Sequence, residues 1–213
     1  MDIYTILNHF DKKSVIIECG GHIGADTVQL CRLFEEGMVH CFEANPTLYA
    51  NLQKNLGHLS NLKLYHLALS NTNGVLDFYV DCNKEGDAGA SSLLEASSSY
   101  LNNYIKEEKK IQVQSITMER FMEVNQIEKV DLLWLDVEGF EYYILENSLE
   151  ALKNVKYIYT EVNFQEFRKN SKLYHDIHAL MISNQFEEIN KWEQGSEWGT
   201  WQGNVLFRNT RYH

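Results

Sequence analysis

The sequence predicts an α/β protein built on a mostly parallel sheet with helices on both faces. Two observations carry this. Short apolar runs alternate along the chain with stretches whose apolar residues recur at helical spacing. Three of the runs empty into an acid: Val15-Ile16-Ile17-Glu18, Met38-Val39-His40-Cys41-Phe42-Glu43 and Val130-Asp131-Leu132-Leu133-Trp134-Leu135-Asp136. Strand–helix alternation lays strands side by side in parallel, with crossover helices above and below.

Residues 1–13 read as a short leading helix or arm, apolar at Ile3, Ile6, Leu7 and Phe10. The first strand runs from Val15 into the loop Gly20-Gly21-His22-Ile23-Gly24, and a helix follows from about Ala25 to Phe34. The second strand reaches Glu43. Asn45 suits an N-cap and Pro46 the first helical position, with Leu48, Leu52 and Leu56 on the buried face. Leu62 to Leu67 reads as a third strand closing on Ala68-Leu69-Ser70. Asn71-Thr72-Asn73-Gly74 makes a turn into an alternating strand, Val75 to Val80. Residues 83–100 are rich in Gly, Ala and Ser and read either as a lid over a pocket or as a plain surface connection. Ile111 to Ile116 is a strand and Thr117 to Asn125 a helix. The Val130–Leu135 strand ends in Asp136-Val137-Glu138-Gly139, and a helix runs on through Leu149. Tyr157 to Val162 is the next strand, with Glu161 near its end and Asn163 after it. A helix carrying Leu173, Ile177, Leu180 and Met181 follows. Two late strands, near Phe186–Trp192 and Asn204–Phe207, suit an antiparallel edge.

The chain has 213 residues, 44% of them hydrophobic, enough for a single domain over 1–213 with a full core. Its formal net charge of −11 opposes a grip on nucleic acid through phosphates. No apolar run suggests a membrane span, and the opening residues do not resemble a signal peptide. Cys19, Cys31, Cys41 and Cys82 lack metal-site spacing and suit reduced cysteines of a cytoplasmic protein. Whether the chain is one domain of a longer protein is left open.

The first loop bears on the ligand. Dinucleotide-binding loops follow G-x-G-x-x-G, whereas this one is Glu18-x-Gly20-x-x-x-Gly24. A carboxylate there repels a pyrophosphate and favours an ammonium group. A nucleoside ligand with an ammonium and no phosphate is S-adenosylmethionine. Glu43 lies about 20 residues past the glycines, where a ribose-binding acid is expected. Asp136 ends a third strand facing the same crevice. A nicotinamide-dependent dehydrogenase is disfavoured by Glu18 and the missing glycine.

The residues resemble a class I S-adenosylmethionine-dependent methyltransferase, and within that class the FkbM family. Four segments carry the likeness: Ile17 to Gly24; Cys41-Phe42-Glu43-Ala44-Asn45-Pro46; Ala68-Leu69-Ser70 with Gly89-Ala90-Ser91-Ser92-Leu93; and Leu135-Asp136-Val137-Glu138-Gly139-Phe140-Glu141. The sequence departs from the family at Glu18, usually Asp, and at Gly20-Gly21-His22, usually Gly-Ala-Asn. The resemblance implies a Rossmann-like fold with a seven-stranded, mostly parallel sheet and an antiparallel edge strand. It implies cofactor contacts from Glu18, Gly20, Gly21, His22, Ile23, Gly24, Asp26, Thr27, Glu43, Ala44, Asn45, Ala68, Leu69, Ser70 and Asp136. It also implies a hydroxyl acceptor on a sugar or glycan.

A sugar hydroxyl is a weak nucleophile and needs a base, or a metal that lowers its pKa. Asp136, Glu138 and Glu161 are the catalytic candidates. Asp136, Glu161 and Asn163 are an oxygen set suited to magnesium or another divalent cation. Tyr142 and Tyr143 are candidates to line an acceptor pocket, and Trp192, Trp198 and Trp201 to stack on a sugar. His175 and His178, three apart on a helix, read either as a face for proton transfer or metal or as solvent-facing. Two other readings stay open: a methyltransferase of another small metabolite or natural product, and a non-catalytic S-adenosylmethionine-binding module.

Overall fold

The computed structural model describes residues 2–82, 89–103, 107–196 and 199–212. Part of the expected lid (83–88) and Trp198 lie outside the described residues.

The leading segment forms α1 (Ile3–Leu7), capped by the Asp2 carboxylate, which accepts from the Thr5 amide at 3.0 Å. Next come β1 (Val15–Cys19), α2 (Ala25–Leu33), β2 (Met38–Phe42) and α3 (Pro46–Leu56). Asn45 caps α3 as its sequence predicts, accepting from the Thr47 amide at 2.9 Å. Then follow β3 (Leu62–Tyr65), β4 (Ala68–Leu69), β5 (Gly74–Asp81), α4 (Ser98–Asn103), β6 (Glu108–Ile116) and α5 (Met118–Asn125). The chain continues through β7 (Val130–Leu135), α6 (Glu141–Asn147), α7 (Leu149–Leu152), β8 (Val155–Asn163), α8 (Tyr174–Ser183), β9 (Phe186–Ser196) and β10 (Gly199–Asn209).

The main sheet has seven strands in the order β3-β2-β1-β7-β8-β10-β9. The strands from β3 to β8 are parallel, and β10 runs antiparallel between β8 and β9. Ile16 and Ile17 on β1 are both fully buried although they face opposite sides, as a parallel strand covered on both faces requires. Ile17, Leu133 and Ile158 pack beneath α5 to α8, while Ile16, Leu132 and Tyr159 pack beneath α1 and α2. Strand order reverses between β1 and β7, the switch point at which open α/β sheets hold ligands beyond the carboxyl ends of their strands. Among the described residues, no helix is long and apolar enough to cross a membrane. All four cysteines are free.

Three details differ from the sequence expectation. Ala68-Leu69 does not close the third strand. It opens a separate sheet, β4-β6-β5, in which β6 pairs parallel with β4 and antiparallel with β5. The Asn73 side chain accepts from the Thr117 amide at 3.0 Å, so the turn before β5 is tied to the end of β6 rather than to β3. The helix expected to run through Leu149 breaks at the fully buried Ser148, next to Asn147, two residues of modest helix propensity. The closing hairpin is longer than its apolar pattern predicts, 11 residues per strand, because ladder hydrogen bonds continue through polar positions out to Ser196 and Gly199.

Candidate functional site

Register brings the acids together. Across the sheet, Phe42 lies beside Cys19, Cys19 beside Leu135, and Leu135 beside Thr160. One residue further on, Glu43, Gly20, Asp136 and Glu161 therefore stand in a row along the lip of the switch point. Strand spacing puts neighbours in such a row about 4.8 Å apart. Gly20 is required here for a backbone reason. Its φ is +93°, and a Cβ would stand 1.9 Å from the Asp136 carbonyl oxygen. The Gly20 and Gly21 amides both donate to the Phe42 carbonyl at 3.0 Å, which ties the loop to β2.

Above this row lies a cavity of about 220 Å³. Of the residues that the sequence marks as site candidates, Gly20, His22, Glu43, Ala44, Ala68, Leu69, Asp136 and Glu138 line it. Leu48, Phe78, Leu93 and Phe140 complete an apolar slot beside Glu43. The Glu43 carboxylate is oriented by two backbone donors, the Asn45 amide at 2.7 Å and the His22 amide at 2.8 Å. Burial pushes its carboxyl up to about 7. An oriented acid next to an apolar slot suits a nucleoside, the acid meeting the ribose diol and the slot the base. Asp136 and Glu138 give the other end a negative field suited to a cationic tail. This chain's residues thus fit S-adenosylmethionine.

Other expected cofactor contacts do not reach the cavity wall. Glu18 is 1% exposed and sits on the α2 side of β1 with Ile16, where its Oε1 accepts from the Thr27 hydroxyl at 3.1 Å. Its side chain is thus turned beneath the loop and away from the cavity wall, and burial pushes its carboxyl up to about 8. Thr27 is fully buried beneath the loop, and the Asp26 carboxylate accepts from the Tyr4 hydroxyl. Gly21 packs against Cys41 and Leu52, Gly24 packs against Leu52 and Leu56, and Ile23 is exposed. Asn45 caps α3, and Ser70 closes its own turn with Thr72. These residues shape the loop and the helix starts.

At the far end, one carboxylate oxygen each from Asp136, Glu138 and Glu161 lie within 4.8 Å of one another. Glu138 holds a left-handed backbone at φ +57°, uncommon for a residue with a side chain. Glu141 sustains this turn, its Oε1 accepting from the Val137 amide at 2.9 Å and the Gly139 amide at 3.3 Å. Burial and then mutual repulsion raise the Glu138 and Glu161 carboxyls, and burial raises that of Asp136. Of the expected oxygen set, Asp136 and Glu161 do converge, and Glu138 joins them. Asn163 is 4% exposed, two positions beyond Glu161 on the same face of β8.

Arg168 and Glu108 gave no sequence signal, since both stand in polar stretches typical of a surface. In the fold they form an ion pair between side chains 1% and 7% exposed. Arg168 also donates to the Leu94 carbonyl at 3.1 Å, and Glu108 accepts from the Ala96 amide at 3.1 Å. Ser92 pairs with Tyr79 and Ala96 with Arg168. The described part of the expected lid is therefore a pinned strap, and its Gly89, Ser91 and Leu93 line the cavity. Tyr142 and Tyr143 pack at the margin of the core, Trp192 packs on Tyr159, and Trp201 is 36% exposed. His175 is exposed, in line with the solvent-facing reading, while His178 is partly screened and packs beside Tyr174.

A family model described as "Methyltransferase FkbM domain" matches residues 18–195. The chain is 29% identical over 202 residues to 2-O-methyltransferase NoeI of Sinorhizobium fredii, covering 92% of this chain and 80% of that protein. It is 26% identical over 146 residues to Methyltransferase 1 of Beauveria bassiana, covering 64% of this chain and 59% of that protein. The crystal structure of Methyltransferase FkbM from Methylobacillus flagellatus superimposes with a TM-score of 0.55 at 11% identity, over 93% of this chain but only 44% of that one. Magnesium protoporphyrin IX methyltransferase from Synechocystis, solved with bound SAM, superimposes with a TM-score of 0.54 at 9% identity, over 97% of this chain and 76% of that one.

Proposed function

Because this chain belongs to the FkbM methyltransferase family, and so is an S-adenosylmethionine-dependent methyltransferase, we propose that it methylates a hydroxyl group of a sugar or glycan. The observation that carries the hydroxyl is the pair Asp136 and Glu138. Both line the cavity, and neither carboxylate accepts a hydrogen bond among the described residues. An alcohol must lose its proton as its oxygen gains the methyl group, and an oriented, unengaged carboxylate accepts that proton. The likeness to a protein named 2-O-methyltransferase supports the same reading. The sugar rests on the FkbM resemblance and on the polar, acid-lined acceptor end. The net charge of −11 favours an acceptor other than nucleic acid.

Bound S-adenosylmethionine supplies an activated methyl group. In this proposal Glu43 holds the ribose, and Ala44, Ala68, Leu69 and Phe78 flank the base. Asp136 stands at the cationic end. Glu138, presented by its left-handed turn, takes the acceptor proton, and Glu161 orients the acceptor. The strap residues Ser91 and Leu93 exclude water from the cavity.

A panel of glycosides and non-sugar alcohols, assayed with methyl-labelled S-adenosylmethionine, tests this. The expected product is a methyl ether on a sugar, identified by NMR. Glu138→Gln should lower turnover at least about 100-fold, within the usual range for losing a general base, with cofactor affinity little changed. Methyl transfer only to amines or carboxylates would overturn the hydroxyl assignment, and unchanged turnover in the variant would remove Glu138 as the base.

A further inference from the structure

We propose that Asp136, Glu138 and Glu161 form a divalent-cation site at the acceptor end of the cavity, one that chelates two adjacent oxygens of the acceptor. Its catalytic use rests on the function proposed above; the binding of the ion does not.

Mutual proximity singles out these three acids: one carboxylate oxygen of each lies within 4.8 Å of the others. Neighbouring acids take more protein donors, two amides each for Glu43 and Glu141 and Arg168 for Glu108, while Glu18 accepts from Thr27 on Oε1 and its buried Oε2 has no partner. Asp136 and Glu138 accept none among the described residues, and Glu161 accepts only from the Gln202 amide, on Oε1. Its Oε2 is buried and has no partner. Three ionised carboxylates this close repel one another, two of them half-buried and Glu161 8% exposed, and a cation held among them relieves that repulsion. Arg168 also acts on Glu138, but its Nη1 is bound to Glu108 and its buried Nε and Nη2 make no hydrogen bond to any of the three acids.

A second observation points the same way. Asn163, 4% exposed and on the Glu161 face of β8, carries an Oδ1 with no hydrogen-bond partner. A buried amide oxygen left unpaired costs on the order of 1–3 kcal/mol, and oxygen ligands of this kind are what hard cations take. The donor set holds no histidine or cysteine, which favours magnesium, calcium or manganese over zinc. The spacing agrees. Two oxygens on opposite sides of a calcium ion lie about 4.6–5.2 Å apart and of a magnesium ion about 4.0–4.2 Å, against a span within 4.8 Å here. Three protein carboxylates leave coordination positions vacant, and a vicinal diol fills two of them. The site therefore selects acceptors with neighbouring hydroxyls.

Calorimetric titration of Ca²⁺, Mg²⁺ and Mn²⁺ into EDTA-treated protein, with and without S-adenosylmethionine, tests the site. The expected result is one ion per chain, bound at least about 30-fold more weakly by Glu161→Gln and Glu138→Gln, a loss of roughly 2 kcal/mol. Glu123→Gln, on the exposed side of α5, should bind as wild type does. Manganese paramagnetic resonance counts ions on the wild-type chain, so the answer stands even if a variant fails to fold. S-adenosylmethionine binding with no ion bound in any titration would overturn the site and leave the acids holding protons instead. Ion binding unchanged in both glutamine variants would also overturn it. Ion binding without S-adenosylmethionine binding would keep the site and sink the proposed function.

Discussion

Glu43 shows how one residue combines position, orientation and charge. It follows β2 by a single residue, so strand register sets its height in the crevice. Two backbone amides orient its oxygens. Burial, opposed by those amides, leaves its carboxyl near neutrality, at about 7. Only the ionised form offers both oxygens as acceptors to a diol. Cofactor affinity should therefore fall as the pH is lowered from about 8 to about 6, because protonation removes an acceptor. Glu43→Gln should weaken S-adenosylmethionine binding by about 10- to 100-fold and abolish that pH dependence, since hydrogen bonds to a charged group contribute roughly 1.5–3 kcal/mol. Calorimetry at three pH values checks both; a dependence that survives the substitution would assign it to another group.

At the scale of elements, the strap behind the cavity depends on one buried ion pair. Arg168 and Glu108 join the segment after β8 to the start of β6, and both also bond to the strap backbone, at Leu94 and Ala96. Removing one member of a buried pair strands the other charge, at a cost of about 3–5 kcal/mol, whereas replacing both by apolar residues costs much less. Arg168→Leu should thus be far more destabilising in urea than the Arg168→Leu/Glu108→Leu double variant. In the single variant, amides from Ser92 to Ser97 should exchange hydrogen faster. Equal losses in the single and double variants would mean that the strap is held by its backbone bridges alone.

Over the whole molecule, buried acids govern the response of stability to pH. In the folded state burial raises Glu18 to about 8 and Glu43 to about 7, well above the usual carboxylate range. Between roughly pH 4.5 and 8 the folded chain then holds protons that the unfolded chain has released, so stability falls as pH rises. These contributions are fully present below the unfolded pKa and lost as pH climbs through 7 and 8. His40 works in the opposite sense, because burial lowers it to about 4 and protonation favours the unfolded chain as pH drops below about 6.5. One histidine opposes at least two acids, so the acids prevail. The ligand-free protein should melt higher at about pH 5.5 than at about pH 8.5. A higher melting temperature at the alkaline end would mean that these acids are ionised in the fold, with a counter-charge beside them.

What the sequence by itself determined is whatever depends on local pattern. Period and caps located the strands and helices. The loop beginning at Gly20 and the acids Glu43 and Asp136 lay where a strand meets a loop, and parallel topology brings such positions to one edge. What only the tertiary structure decided is which side chains face inward together. Glu18 looked like the ammonium partner, yet it points beneath α2, because side chains alternate across a strand and its position shares the face of Ile16. Ala68-Leu69 left the main sheet through contacts with residues far along the chain. Arg168, Glu108 and Glu161 acquired their partners across long sequence separations, and Glu138 its place in the cluster through a left-handed turn. A linear pattern records the period of an element. It does not record the partners that folding brings to each face.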